Sequence, residues 1–314
     1  MSTNLILLPH IQVQNANALS SPFTIGFPAM TAWLGATHAL QRKLNTKNIH
    51  VLFNAVGVVV HKFDLKAYKG PDDFVYSIVG TGNPLEPKSE KDKPQGNAVR
   101  PSFIEEAHCH LDVSLVIEYS GIEAQDERPM LEQLYQLLLG SMKLAGGDVL
   151  DCGEPDIVRD FDATTRRRLM PGYALVERRD LIQAAMEQGE DAMDAMLDYL
   201  SIHHSCIKED INGEERVSWQ RHRKATGPNA QTGWIVPIAT GFQAISVQSS
   251  ALNQRDSEVP HRFAESVVTL GEFKMPYRLH SPDELLWRYH VEPDNNLYLC
   301  TQYAPEPETA DNDY

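Results

Sequence analysis

With 314 residues, 42% of them hydrophobic and 8% aromatic, the chain suffices for one elaborated domain or two small ones and is too apolar to be disordered throughout. Its 28 Lys and Arg against 43 Asp and Glu leave a formal charge of −15, which taken alone weighs against a polyanionic partner. Cys109, Cys152, Cys206 and Cys300 form no C-x-x-C pair, no basic-then-apolar leader opens the chain, and no apolar run nears the ~20 residues of a membrane span. These features exclude a disulfide scaffold, a zinc ribbon and a membrane-spanning helix, and they predict a soluble, cytoplasmic, unexported protein.

In chain order, residues 4–8 and 11–14 read as strand, broken at Pro9. Pro22 and Pro28 bracket a loop, and a helix follows in which Met30, Trp33, Leu34, Thr37, Leu40 and Leu44 recur at three-and-four spacing, with Arg42 and Lys43 in the last turn. Residues 56–63 form a second strand. The stretch 64–104, with Gly70, Pro71, a short apolar piece at 74–79 and a polar run at 88–95, is too long for an ordinary connection and predicts a protruding hairpin or functional loop.

Strict alternation over 107–119 predicts a strand that turns Cys109, Leu111, Val113, Leu115 and Ile117 inward. The opposite face would show His108, His110, Asp112, Ser114 and Glu118, with Val116 as the apolar exception. A helix from Pro129 through Met142 then runs to Gly146 and Gly147, read as a helix stop or as a close approach of backbone to a ligand, before a strand at 148–150. Strand, helix, strand, hairpin, strand, helix, strand is a split β-α-β plan, so the fold class is α+β: a ferredoxin-like, RNA-recognition-type palm with an antiparallel sheet and helices on one side.

Beyond residue 151 come a basic triplet at 166–168, a strand at 172–176, one acidic amphipathic helix at 180–201 and a strand at 234–238. Ser281, Pro282 and Glu284 form a capping box ahead of Leu285, Leu286 and Trp287, which predicts a helix there. Three units are expected: a palm over 1–150 with a thumb insertion at 64–104, an α+β C-terminal elaboration over 151–304, and a mobile acidic tail at 305–314.

The charge is segregated. Residues 1–63 and 216–255 contain no Asp or Glu, whereas 180–215 holds ten acids against one lysine. The acid-free windows are read both as buried elements with no room for carboxylates and as an anion-facing surface.

The sequence contains no phosphate loop, no dinucleotide fingerprint and no nucleophile elbow. His108, His110 and Asp112 share a strand face, but no fourth group completes a shell, so no metal and no other cofactor is expected. Paired His-x-Thr/Ser motifs of phosphodiesterases are missing. His38 and His61 are the pair that could serve as acid and base in a ribonuclease.

Segments spread along the whole chain resemble one family. They are Leu7 to Pro22 (LLPHIQVQNANALSSP), Gly26 to Pro28, His38 to Arg42, Gly57 to Phe63 (GVVVHKF), Asn83 to Leu85, Pro101 to Leu111 (PSFIEEAHCHL), Met142 to Gly147, Arg168 to Val176 (RLMPGYALV), Gly233 to Pro237, Arg262 to Glu265, and Leu286 to Pro293. In that order they are similar to the smaller subunit of the tail heterodimer in type I-F CRISPR surveillance (Csy) complexes, within the RAMP superfamily.

The resemblance implies an RNA-recognition-type palm with a thumb, pairing with a large subunit, and a hold on the 5′ handle of the CRISPR RNA. Backbone subunits are further partners, and target DNA is met indirectly. It implies no catalysis, because another subunit cuts the precursor. The matched polar residues Asn15, Asn17, Ser20, Ser21, Arg42, His61, Arg255 and Arg262 are the candidate RNA contacts, each with packing or capping as its other reading. A metal-independent endoribonuclease of the same superfamily is the alternative function.

Overall fold

The computed structural model describes residues 4–80, 82–87, 98–102, 106–211, 214–227, 231–254, 256 and 258–302. The predicted tail at 305–314, the polar run at 88–95 and Arg255 lie outside the described residues. The chain forms β1 (Leu5–Asn17), a small pair β2 (Leu19–Ser21) and β3 (Thr24–Ile25), α1 (Met30–Asn45) and β4 (Leu52–Leu65). The segment that follows contributes two short antiparallel pairs, β5 (Ala67–Tyr68) with β6 (Ser77–Ile78) and β7 (Glu86–Pro87) with β8 (Ala98–Val99).

Then come β9 (His108–Ser120), α2 (Glu127–Ser141), β10 (Lys143–Leu144), β11 (Gly147–Asp151), β12 (Asp156–Val158), α3 (Ala163–Arg168) and β13 (Tyr173–Glu177). The remainder is α4 (Arg179–Glu187), α5 (Ala192–Leu200), a ribbon of β14 (His203–Ile211) and β15 (Glu214–His222), then β16 (Ile235–Ala244), β17 (Ala264–Lys274), β18 (Arg288–Glu292) and β19 (Leu297–Thr301).

One antiparallel sheet runs β10-β11-β1-β9-β4-β13-β17-β16-β19-β18, with β12 alongside the first half of β1. The strands after residue 151 thus extend the sheet that the first 150 residues begin. Its organisation follows from period-two alternation: Ile6, Leu8 and Val13 of β1, Val56, Val58 and Val60 of β4, and the odd-numbered residues of β9 meet the buried stripes of α1 and α2 in the main core. Each helix shows the three-and-four spacing expected of it, and Met30, Trp33, Leu44, Met130 and Leu134 are fully buried.

On the opposite face, Leu5, Leu7, Ala55, Val59 and Val116 are buried under Leu279, Leu285 and Leu286, with Leu169 and Val176 completing the cluster. The cover is the chain at 276–287, held by the Arg166 guanidinium on the Leu279 carbonyl at 2.6 Å and by mutual backbone bonds between Val56 and Trp287. Gly57 makes the fit possible, since a Cβ there would stand 2.3 Å from Leu285 Cγ.

Several sequence expectations change. The break at Pro9 is a bulge within β1, the register shifting between Leu8 and Ile11, and the strand runs on past the expected Gln14 to Asn17 through a second shift at Val13/Ala16. Helix α2 ends at Ser141, Gly146 lies in the turn of the β10–β11 hairpin and Gly147 opens β11. Gly147 is required because backbone atoms of Gln14 and Ala16 lie 2.7 Å from where a Cβ would sit.

The acidic segment is two helices, α4 closed near Gly189 (φ +89°) and α5 capped by Asp191, whose carboxylate accepts the Met193 N–H at 2.8 Å. The capping box at Ser281 forms but starts one 3-10 turn, Pro282–Glu284, and no helix. Leu285, Leu286 and Trp287 are all fully buried, and three consecutive residues cannot share one helical face, so the chain extends.

Candidate nucleic-acid interface

The sheet face away from α1 and α2 is not uniformly available, as the alternation in β9 suggested. Half of it lies under the 276–287 cover, where Val116 is fully buried, and Ser114 at the border is fully buried too. The other half is open. Directly opposed residues form two cross-strand rows: Asp151, Gln12, Asp112 and Lys62 in one, Asp148, Gln14 and the neighbouring pair His110 and Asp64 in the other. Gln12, Gln14, Lys62, His110, Asp112 and Leu150 line a shallow groove of about 320 Å3. Residues 1–63 carry no acid, but the neighbouring strands return Asp64, Asp112, Asp148 and Asp151 to their side. The acid-free N-terminal segment is therefore not a carboxylate-free surface on this face.

A polar cluster marks the border between the halves. Two bulges build it, one at Pro9–His10 in β1, where His10 takes φ +49°, and one at His61 in β4. They stack the two imidazoles at 4.1 Å between centroids. The Pro171 carbonyl can only accept, so His61 Nδ1 donates to it at 2.7 Å, and Nε2 of the neutral ring accepts the Ser114 hydroxyl at 2.6 Å. Ser114 Oγ in turn accepts the His10 backbone N–H at 3.1 Å. His10 Nδ1 donates to Asp112 at 3.1 Å. Burial lowers the His61 pKa from its ordinary value and His10 adds to this, while the Pro171 carbonyl and Asp112 oppose it.

Single ligand atoms from His10, His61 and Asp112 lie within 4.8 Å of one another, the one such group among the described residues. His108, His110 and Asp112, which share a strand face but were not expected to bind a metal, do not converge among the described residues. Both nitrogens of His61 are bonded to protein groups and its ring is stacked on that of His10, so the arrangement works as a clamp across β1, β4 and β9. His10 was missed in the sequence reading. Its signal was a Pro-His pair interrupting an alternating apolar strand.

The predicted contact residues separate. Asn15, with φ +56°, occupies the second bulge of β1, gives its N–H to His110 Nδ1 at 3.2 Å and accepts Lys66 Nζ at 3.2 Å. Asn17 bonds both ways to the Leu19 backbone, and Ser20 and Ser21 bond Thr24, so these three side chains organise the turn after β1. His61 belongs to the clamp. Arg42 is exposed in the last turn of α1, on the helix side of the sheet, with no side-chain partner among the described residues. Arg262 is exposed and bonds Asn296. His38 lies exposed on α1, across the sheet from His61, so the two histidines considered for acid–base catalysis do not meet.

The acid-rich segment is partly neutralised within the fold. Arg178 pairs with Asp180 and Glu272, and Lys224 with Asp198 and Glu190. Among the described residues no helix is long and apolar enough to cross a membrane.

Comparison with known proteins adds two findings. A family model described as CRISPR-associated protein (Cas_Csy2) matches residues 6–300. The chain is also similar to the CRISPR-associated protein Csy2 of Pseudomonas aeruginosa (strain UCBPP-PA14), 33% identical over 326 aligned positions that cover 94% of each chain.

Proposed function

The chain belongs to the Csy2 family of CRISPR-associated proteins, and on that premise we propose that it works as a non-catalytic subunit of a type I-F CRISPR surveillance complex. In this reading it pairs with the larger subunit, holds the repeat-derived 5′ handle of the guide RNA, contacts the backbone subunits and meets target DNA through the guide. The observation that carries the proposal is the extent of the match, which runs through residues 6–300 and covers 94% of both this chain and its relative.

The fold supports the reading in its details. The order β11-β1-β9-β4 with α1 and α2 on one face supports reading this part as a ferredoxin-like palm and favours division into a palm (1–150, thumb at 64–104) and an elaboration (151–304). A single-stranded handle suits such a palm, because unpaired bases are read by stacking and by hydrogen bonds to their edges. The charge of −15 favours binding in the assembled complex over binding by the isolated chain.

The test is retention of guide RNA by the assembled complex across a salt series. Arg42→Ala is expected to weaken retention and to flatten the logarithmic salt dependence by about 0.7, the value for one single-strand phosphate contact. Unchanged affinity and slope would remove Arg42 from the interface. Equal retention of guides with and without the handle would overturn the handle-binding role, and metal-free cutting of repeat RNA by the purified chain would overturn the non-catalytic one.

A further inference from the structure

The two acid-free windows, 1–63 and 216–255, lie far apart in sequence, and parts of them come together on the helix side of the sheet. There α1 packs on β16, and the β2–β3 turn also touches β16. Where they meet, five aromatic side chains form a continuous ledge. Phe63 lies 6.5 Å from Phe27, Phe27 is edge-on to Phe273 at 5.7 Å, Phe273 is 5.1 Å from Trp234, and Trp234 is edge-on to Tyr173 at 5.3 Å. Phe27, Phe63 and Trp234 come from the acid-free windows, and β13 and β17 supply the other two.

The ledge is anchored in the main core, where Phe27 stacks on the fully buried Trp33 at 5.6 Å. Its far end is open: Trp234 keeps 53% of its surface exposed, although packed against two rings. Those contacts are tilted or edge-on, and no ring is stacked face to face on the indole among the described residues. The carboxylate beside it, Glu272 next to Gly233, is held by the Arg178 guanidinium.

We infer that Trp234, braced by Tyr173 and Phe273, is a stacking platform for an unpaired nucleobase of the guide-RNA handle. Two properties favour a nucleic-acid strand over a protein side chain here. A rigid, half-exposed indole offers a flat π surface to any base, and the two windows that carry the ledge contain no Asp or Glu while the adjacent Glu272 is paired with Arg178, which keeps carboxylate repulsion of a polyanion low there. The inference deepens the handle-binding reading and rests on it. It also differs from the phosphate contact proposed at Arg42, because a neutral ring contributes to affinity without changing the number of counterions released.

The experiment is a cycle of protein and RNA changes in the assembled complex. Guide RNAs carrying an abasic site at each handle position in turn are measured against wild type, Trp234→Ala, Trp234→Phe and, as an exposed-tryptophan control, Trp219→Ala. Trp234→Ala is expected to weaken the intact guide roughly 5- to 100-fold with an unchanged salt slope, the range expected for losing one stacked base. Trp234→Phe should retain most of the affinity, and Trp219→Ala all of it. At one handle position the abasic guide should bind wild type and Trp234→Ala alike.

Equal affinity of wild type and Trp234→Ala for the intact guide would overturn the platform while leaving handle binding by the wild type intact. A loss of the same size with every abasic guide would overturn it in favour of a packing role, and failure of Trp234→Ala to assemble with its protein partners in the absence of RNA would assign the ledge to a protein interface. Indifference of the wild type to the whole handle would overturn both this inference and the reading beneath it.

Discussion

The two halves of the sheet face away from α1 and α2 are built by the same strands with the same alternation, yet one is core and the other is surface. In the closed half Leu5, Leu7, Val59 and Val116 lie beneath Leu279, Leu285 and Leu286. In the open half Gln12, Gln14, Lys62 and His110 line a groove. The change of chemistry falls at the two bulges that bring His10 and His61 over Ser114. A bulge shifts the register of one strand, and here the paired shifts let a buried apolar patch stop at a hydrogen-bonded border and give way to polar surface.

Breaking the closed half should have the largest effect. Leu285→Ala is expected to cost about 2–5 kcal/mol, as a cavity in a well-packed cluster does. Gly57→Val should cost about 1–3 kcal/mol through overpacking against Leu285. Urea unfolding of the full chain measures both, and stability unchanged in both variants would mean that the 276–287 cover is not part of the core.

At the border, Ser114→Ala leaves His61 Nε2 and the His10 N–H without their partner in a part-buried place, so about 1–2 kcal/mol of destabilisation is expected in the same assay. Acidification tests the clamp from another side. His61 has a folded-state pKa below its unfolded value of 6.5, so the unfolded chain binds the proton more tightly. Its contribution to stability is fully present above about pH 6.5 and is lost as pH falls through the folded-state pKa. The urea midpoint at pH 5.5 relative to pH 7.5 should therefore drop less in His61→Gln than in wild type. Identical pH profiles would mean that His61 is not held neutral by the fold.

The open half should tolerate change. Gln12→Ala and Gln14→Ala are each expected to alter stability by no more than about 0.5 kcal/mol. A loss of several times that amount would show the groove to be structural, and the contrast between the halves would fail.

Much of this molecule was legible in one dimension. Alternation of period two and stripes at three-and-four spacing located β1, β4, β9, α1 and α2 within a few residues, because each pattern reports which side of an element meets the core. The segments resembling the Csy subunit were carried by residues whose spacing is itself sequence information.

Local signals failed where a distant segment had the stronger claim. The capping box at Ser281 yielded one turn because Leu285, Leu286 and Trp287 are drawn to different neighbours. Gly146 and Gly147 read as a helix stop or as a close approach of backbone to a ligand, but at Gly147 the backbone of β1 is what excludes a side chain. The absence of acids before Asp64 did not make a carboxylate-free sheet face, since β9 and β11 supply their own. Conversely, the sequence contained both Phe27 and Trp234, but only the pairing of distant strands sets them on one ledge. Composition and periodicity are properties of a segment and survive folding, whereas the electrostatic and aromatic character of a surface is a sum over neighbours, and strand order decides who the neighbours are.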